Sequence, residues 1–263
     1  MTLRVLQLTD FHIFSDPEKN FFGIPTYYTL KDILQKISDL KIKFDYMIIT
    51  GDLTSDETIE SYQNVKKILG NYVSKSLIIP GNHDDRNFIR EVFPECIQTT
   101  SGPINFSVST DSWELIGIDT HLPGELYGYM SSETIPWLKN LLDNNLEKSI
   151  VIFLHHPPFP VQSRWVDTLK LKNSLEFFDI IKNYPNIRII SCGHVHQEFS
   201  GVYENISLLT SPSTGLQFKK GSDMLECESL APGFRLFQLD ENMWNTEIIR
   251  LEKIKYIPEM NDP

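Results

Sequence analysis

Ten side chains able to do chemistry fall in five short clusters: Asp10 and His12; Asp52; Asn82, His83 and Asp84; His155 and His156; His194 and His196. They offer carboxylate, amide and imidazole donors with no thiolate, a set that suits Mn, Fe, Zn or Mg. A single ion that keeps an open position for water is satisfied by fewer ligands than this. Asp10, His12, Asp52, Asn82, His155, His194 and His196 are enough for two ions, and a carboxylate such as Asp52 can bridge them. Paired ions about 3.5–4 Å apart clamp both oxygens of an in-line displacement. The chemistry these residues imply is metal-assisted hydrolysis. Any one cluster alone would be weak evidence, and the coincidence of five carries the reading. Asp-x-His and His-x-His, read as extended chain, are expected to reach one centre from opposite sides of a turn.

What must position them is a set of short buried strands. Arg4 to Leu8, Tyr46 to Thr50, Ser76 to Ile79, Ser149 to Leu154 and Ile187 to Cys192 are apolar runs of strand length, and each delivers a cluster immediately after its last residue. Pro80-Gly81 stops the third of them abruptly. Ligands in open α/β sheets bind outside the carboxyl ends of the strands, where all five clusters stand. Helical spacing links Leu30, Ile33, Leu34, Ile37 and Leu40. It recurs at Ile59, Tyr62, Val65 and Leu69 before Gly70, and over Arg86 to Val92 before Pro94. Two further helices are expected, one capped by Ser131 and running to Leu142, one from Leu175 to Tyr184. Ile104 to Thr110 and Trp113 to Asp119 read as a hairpin. Ser207 to Thr210, Phe234 to Leu239 and Thr246 to Leu251 close the chain as strands. Residues 211–233 are expected to form a long functional loop near the substrate. The pattern predicts an α/β fold of layers, with a mixed sheet or two packed sheets, in a single domain over 1–263.

Composition narrows the partners. Twenty-four basic against 35 acidic residues give a net charge of −11 over 263 residues, which argues against a general nucleic-acid binder. No apolar run approaches the roughly 18 residues of a membrane helix. The N-terminal residues read as a first strand and not as a signal peptide, so the cytoplasm is the expected compartment. Three widely spaced cysteines, Cys96, Cys192 and Cys227, imply reduced thiols and no disulfide framework. Nothing in the sequence fixes the oligomeric state, and a homo-oligomer stays open.

Asp10-Phe-His12, Gly51-Asp52, Gly81-Asn-His-Asp84, His155-His156 and Gly193-His-Val-His196 resemble, in order and spacing, the five motifs of the calcineurin-like metallophosphoesterases. Thr9 to Phe14, Leu154 to Pro158, Cys192 to Glu198, Ser211 to Thr214 with Gln217 to Lys219, and Ala231 to Arg235 are similar to the bacterial class III 3′,5′-cyclic-AMP phosphodiesterases. The resemblance implies a four-layer sandwich, two mixed β-sheets flanked by helices. It implies two divalent cations per chain, Fe or Mn first and Zn or Mg as alternatives. Asp10, His12, Asp52 and His196 would hold one; Asp52, Asn82, His155 and His194 would hold the other. His156 would point elsewhere, since neighbours on a strand face opposite sides. His83 would sit against the phosphate as general acid, with Asp84 orienting it. His12, Asp52, Asn82, His83 and His196 would touch the phosphate.

The expected reaction is hydrolysis of 3′,5′-cyclic AMP, a small-molecule substrate, to AMP by attack of a hydroxide bridging the ions. A glycerophosphodiesterase or broad phosphodiesterase of the same superfamily is the alternative, followed by a non-catalytic scaffold that binds protein. Phe11, Phe14, Phe21 and Phe22 would either stack a purine or close the core beneath their loop.

Overall fold

Val5 faces one way and Leu6 and Leu8 the other, yet all three are fully buried, because their strand is covered on both faces. In the computed structural model, which describes residues 2–241 and 243–259, that strand is β1 (Leu3–Leu8). It pairs in parallel with β2 (Tyr46–Thr50), which pairs in parallel with β3 (Ser76–Ile79). The second sheet starts from a hairpin, β4 (Phe106–Ser109) and β5 (Trp113–Ile118), and continues in parallel through β6 (Ser149–Leu154) and β7 (Ile187–Cys192). β8 (Phe199–Tyr203) and β9 (Ile206–Thr210) close it, with β9 parallel to β7 and β8 antiparallel at the edge. A two-residue ribbon follows, β10 (Gln217–Phe218) with β11 (Cys227–Glu228). The chain then returns to the first sheet, where β12 (Gly233–Leu239) pairs antiparallel with β1 and β13 (Trp244–Arg250) with β12.

The two sheets pack face to face through Val5, Ile48, Ile79 and Phe237 on one side and Trp113, Leu115, Val151, Phe153 and Ile189 on the other. Outside the first sheet lie α1 (Thr26–Asp39), α2 (Ile59–Leu69) and α3 (Arg86–Val92). Outside the second lie α4 (Thr134–Asp143), the short α5 (Arg164–Asp167) and α6 (Ser174–Ile181). This is the expected four-layer arrangement of two mixed sheets flanked by helices. Burying each such side chain contributes about 1.5–3 kcal/mol before chain entropy is counted. Thr58 caps α2 by accepting from the Ser61 N–H at 3.3 Å, and Gly70, at φ 52°, ends it. Asp85 caps α3 through the N–H groups of Asn87 and Phe88.

Two helix boundaries differ from expectation. α4 starts at Thr134, with Ser131 upstream still accepting the Thr134 N–H on its hydroxyl oxygen. Pro136, which has no N–H to give, falls in the first turn, where none is needed. α6 stops at Ile181, and Tyr184 follows in the turn that leads to β7. Among the described residues no helix is long and apolar enough to cross a membrane.

Candidate metal centre

Asp10, His12, Asp52, Asn82 and His83 leave the first sheet after β1, β2 and β3. His155, His156, His194 and His196 leave the second after β6 and β7. The two groups meet across the top of the sandwich. His12 Nε2 lies 3.0 Å from His196 Nε2, and His196 Nε2 lies 3.5 Å from Asp10 Oδ1. Asp52 faces both sides: Oδ2 is 3.6 Å from His12 Nε2, and Oδ1 is 3.4 Å from His155 Nε2. Asn82 Oδ1 stands 3.1 Å from the same His155 nitrogen. Asp10, His12, Asp52, His155, His194 and His196 are all buried.

The backbone that achieves this is not extended. Asp10, His12, Asp52, His194 and His196 have φ of 56°, 50°, 52°, 70° and 49°, so the expectation of extended Asp-x-His and His-x-His chain is corrected. Left-handed backbone costs a non-glycine residue of the order of 1–3 kcal/mol, and it persists where surrounding structure holds it and function uses it. Here the turns are tied together: the Asp10 N–H donates to Gly51 O at 3.0 Å and the His12 N–H to Asp52 O at 3.0 Å. The His194 N–H donates to the Asp10 carboxylate at 3.1 Å. Close approach demands small neighbours. A Cβ on Gly81 would stand 2.2 Å from Asp52 Oδ1, and one on Gly193 would stand 2.1 Å from Thr9 Oγ1.

Partners outside the centre orient the rings. His155 Nδ1 stands 2.7 Å from Thr50 O and His196 Nδ1 2.9 Å from Leu216 O. A ring nitrogen facing a carbonyl must donate, which leaves the inward Nε2 as a lone pair in the neutral ring. For His155 that lone pair faces the oxygens of Asn82 and Asp52, acceptors all, an arrangement that a cation satisfies. His194 Nε2 is buried with no hydrogen-bond partner, an orphan that fits the same role. Among the described residues, three sets of groups could each hold an ion: Asp10, His12 and His196; Asp10, Asp52 and His155; and His155, His156 and His194. The donor set fits divalent cations, and these clusters can bind metal ions.

The electrostatics of these donors agree. Burial would raise the Asp52 carboxyl, but His155 and His83 hold it well below its usual range. Burial would lower His155, but the Asp52 carboxylate lifts it to about 9. His12 and His194 are pushed well below the usual imidazole range, first by burial.

Two expectations change. Asp84 is not placed to orient the His83 ring: its carboxylate accepts from the N–H groups of Gly81 and Leu53 and from the Tyr62 hydroxyl, at 2.8–3.3 Å. Burial, then the nearby Asp52 charge, pushes the Asp84 carboxyl up. It fastens the turn that carries Asn82 and His83. His156 does not point elsewhere, because β6 has ended at Leu154 and strand alternation no longer governs it; its ring centroid lies 4.7 Å from those of both His155 and His194. His83 is half-buried, and its N–H donates to Asp52 Oδ1 at 2.8 Å.

Sequence reasoning missed the supports. Phe21 stacks on His12 with centroids 4.2 Å apart, and Phe218 on His196 at 4.3 Å. Phe11 and Phe14 are core residues. Residues 211–218 form a buried brace, with the Ser213 hydroxyl donating to Asp10 O at 2.7 Å. Only flanking aromatics and the Ser-Pro-Ser run hinted at this. A groove of about 500 Å³ opens beside Asn82 and His83, walled by Arg86, Arg90, His121, Pro123 and Leu126.

Comparison with known proteins agrees with this geometry. Residues 3–198 match the family model for calcineurin-like phosphoesterase. The chain is 30% identical to a 3′,5′-cyclic adenosine monophosphate phosphodiesterase of Vibrio vulnificus, over 98% of this chain and 93% of that protein. It is 31% identical to a 3′,5′-cyclic-nucleotide phosphodiesterase of Nostoc, covering 95% and 93%. Among solved structures, a dimetal phosphatase from Danio rerio shares the fold with a TM-score of 0.72 at 11% identity, over 94% of this chain and 95% of that one. With the motifs, the sandwich and the converging donors all in agreement, the chain belongs to the calcineurin-like phosphoesterases.

Proposed function

We propose that the chain is a dinuclear, metal-dependent phosphodiesterase that hydrolyses 3′,5′-cyclic AMP to AMP. The observation that carries the two-ion reading is the placement of Asp52, one carboxylate oxygen toward His12 and the other toward His155. Asp10, His12 and His196 would complete one position, and Asn82, His155 and His194 the other. Iron and manganese are the first choices for donors of this kind, with Zn or Mg as alternatives. When bound, such ions supply a water nucleophile at neutral pH and neutralise charge on the phosphoryl oxygens.

The chain's own residues do the rest. Asp52 is fixed by the His83 N–H, and His12 and His196 by their stacked phenylalanines, so the donors need no rearrangement during reaction. A new O–P bond forms in line with the ester oxygen that leaves. His83, at the edge of the groove, donates its proton to that departing oxygen, and the product is a phosphomonoester. Water supplies the oxygen gained and replaces the proton spent. The groove beside Asn82 and His83 has room for a nucleoside.

The preference for a cyclic nucleotide is supported by the names of relatives that match nearly the whole chain. The experiment is to rank 3′,5′-cyclic AMP, glycerophosphodiesters and bis(p-nitrophenyl) phosphate by kcat/KM with each metal. Preference for cyclic AMP is expected; preference for a glycerophosphodiester would move the assignment to that activity.

A further inference from the structure

Between the sheets the packing is apolar, through residues such as Val5, Ile48 and Ile189, until just short of the metal centre. On three strands the next residue on that same inward face is polar and fully buried: Gln7 on β1, Thr50 on β2 and Ser191 on β7. They form one relay of hydrogen bonds from sheet to sheet. The Gln7 side-chain amide donates from Nε2 to Thr50 Oγ1 at 3.1 Å, and its Oε1 accepts from the Ser191 hydroxyl at 2.5 Å. The Thr50 carbonyl oxygen in turn accepts from the Thr9 hydroxyl at 3.1 Å and faces His155 Nδ1 at 2.7 Å. Gly193 rests on the same carbonyl, since a Cβ there would stand 3.0 Å from its oxygen. Thr50 precedes Asp52 by two residues, and Ser191 precedes His194 by three.

We propose that Gln7 is a positioning residue for the metal centre, a polar rivet that sets how the Asp52 turn of the first sheet stands against the His155 and His194 turns of the second. Apolar contact is non-directional, whereas a satisfied buried polar network rigidifies its surroundings and specifies one arrangement. Gln7 is the member that joins both sheets, for Thr50 belongs to the first and Ser191 to the second. Donors for a cation must be held to within about 0.5 Å. Asp52 Oδ1 and His155 Nε2, 3.4 Å apart, come from opposite sides of this joint. Gln7 acts on them through the ends of β2 and β7. The inference rests on the cation reading of the centre and not on the identity of the substrate.

The test compares three readouts on the full chain: Mn²⁺ affinity by titration calorimetry, the electron paramagnetic resonance of the Mn²⁺ pair, and the urea midpoint without metal. The resonance reports the spacing of two ions that share a carboxylate. Gln7→Met leaves the Thr50 and Ser191 hydroxyls buried without this partner, so midpoint and affinity should both fall, the affinity by about tenfold. Combining Gln7→Met with Thr50→Val and Ser191→Ala removes the side-chain relay and keeps the Thr50 carbonyl that faces His155 Nδ1. An all-apolar layer is nearly neutral for stability, so the midpoint should return to the unmodified value. The affinity should stay about tenfold weak and the pair spectrum altered. Recovery of affinity and spectrum along with the midpoint would overturn the proposal, because the relay would then serve only its own polar atoms. Ser191→Ala alone cuts the sheet-to-sheet bond and keeps Gln7 on Thr50, and it should weaken Mn²⁺ binding severalfold. Unchanged affinity and spectrum in that variant would overturn the proposal even where the triple variant does not fold. An unmodified chain that binds no Mn²⁺ would remove the cation reading, and this inference with it.

Discussion

His12 Nε2 and His196 Nε2 stand 3.0 Å apart, and His196 has already committed its Nδ1 to the Leu216 carbonyl oxygen. In the neutral His196 ring the inward nitrogen is therefore a lone pair, and without an ion His12 must donate to it. A cation needs both lone pairs, so binding obliges the neutral His12 ring to carry its proton on Nδ1, which lies 3.2 Å from Ser55 Oγ. Ion uptake and the tautomer of His12 are thus coupled across the centre.

His155 makes the pH dependence explicit. Burial would lower its pKa from the ordinary 6.5, but Asp52 lifts it to about 9. In the metal-free chain the charged ring therefore stabilises the fold fully below pH 6.5, and this contribution fades as pH rises through 9. Cation binding needs the neutral ring and runs the other way. Apparent Mn²⁺ affinity should climb about tenfold per unit from pH 6.5 and level off near 9, with proton release. Titration calorimetry in buffers of different ionisation enthalpy checks it; affinity independent of pH across that range would rule out His155 as the proton carrier.

Asp52→Ala should empty both positions at once, because its oxygens serve His12 on one side and His155 on the other. Metal content measured on the folded variant should drop to trace levels. Retention of two ions per chain would refute the bridge.

His83→Ala should lower kcat by roughly 10²–10⁴ and leave metal content unchanged. The selectivity of this test comes from the backbone: it is the His83 N–H that fixes Asp52 Oδ1, and alanine keeps it. Loss of metal in parallel with activity would make His83 a ligand.

Tyr62→Phe should destabilise the chain by about 1–3 kcal/mol. The fully buried Tyr62 hydroxyl donates to Asp84 Oδ1 at 3.1 Å and accepts from the Asp85 N–H at 2.6 Å, so both groups lose a partner. Urea unfolding gives the energy. Because Asp84 fastens the turn bearing Asn82, metal affinity should weaken as well; unchanged stability would mean that water replaces the hydroxyl.

The strands and the five clusters were legible because apolar runs covered on both faces stand out, and each ends abruptly in donors, as Ile79 does before Pro80-Gly81. Residue types do not reveal backbone hand. Nothing in Asp10 or His196 announces a left-handed φ, since that conformation is imposed by hydrogen bonds to turns far away in sequence. The direction of His156 escapes the sequence for a related reason: strand alternation does not hold two residues past Leu154, where β6 ends. Asp84 looked like a catalytic group because it adjoins His83, while its true partners, Leu53, Tyr62 and Gly81, are settled only by tertiary packing. The brace over residues 211–218 is chosen by contacts of Ser213 with Asp10, and of Leu216 and Phe218 with His196, that no local pattern encodes.

Asp10, Asp52 and Asn82 hang from one sheet while His155, His194 and His196 hang from the other. Neither half of the polypeptide, expressed alone, would own a complete coordination set. Ion capture therefore becomes a report that the two halves have closed upon each other, and a chelator should loosen their mutual grip before it melts either one.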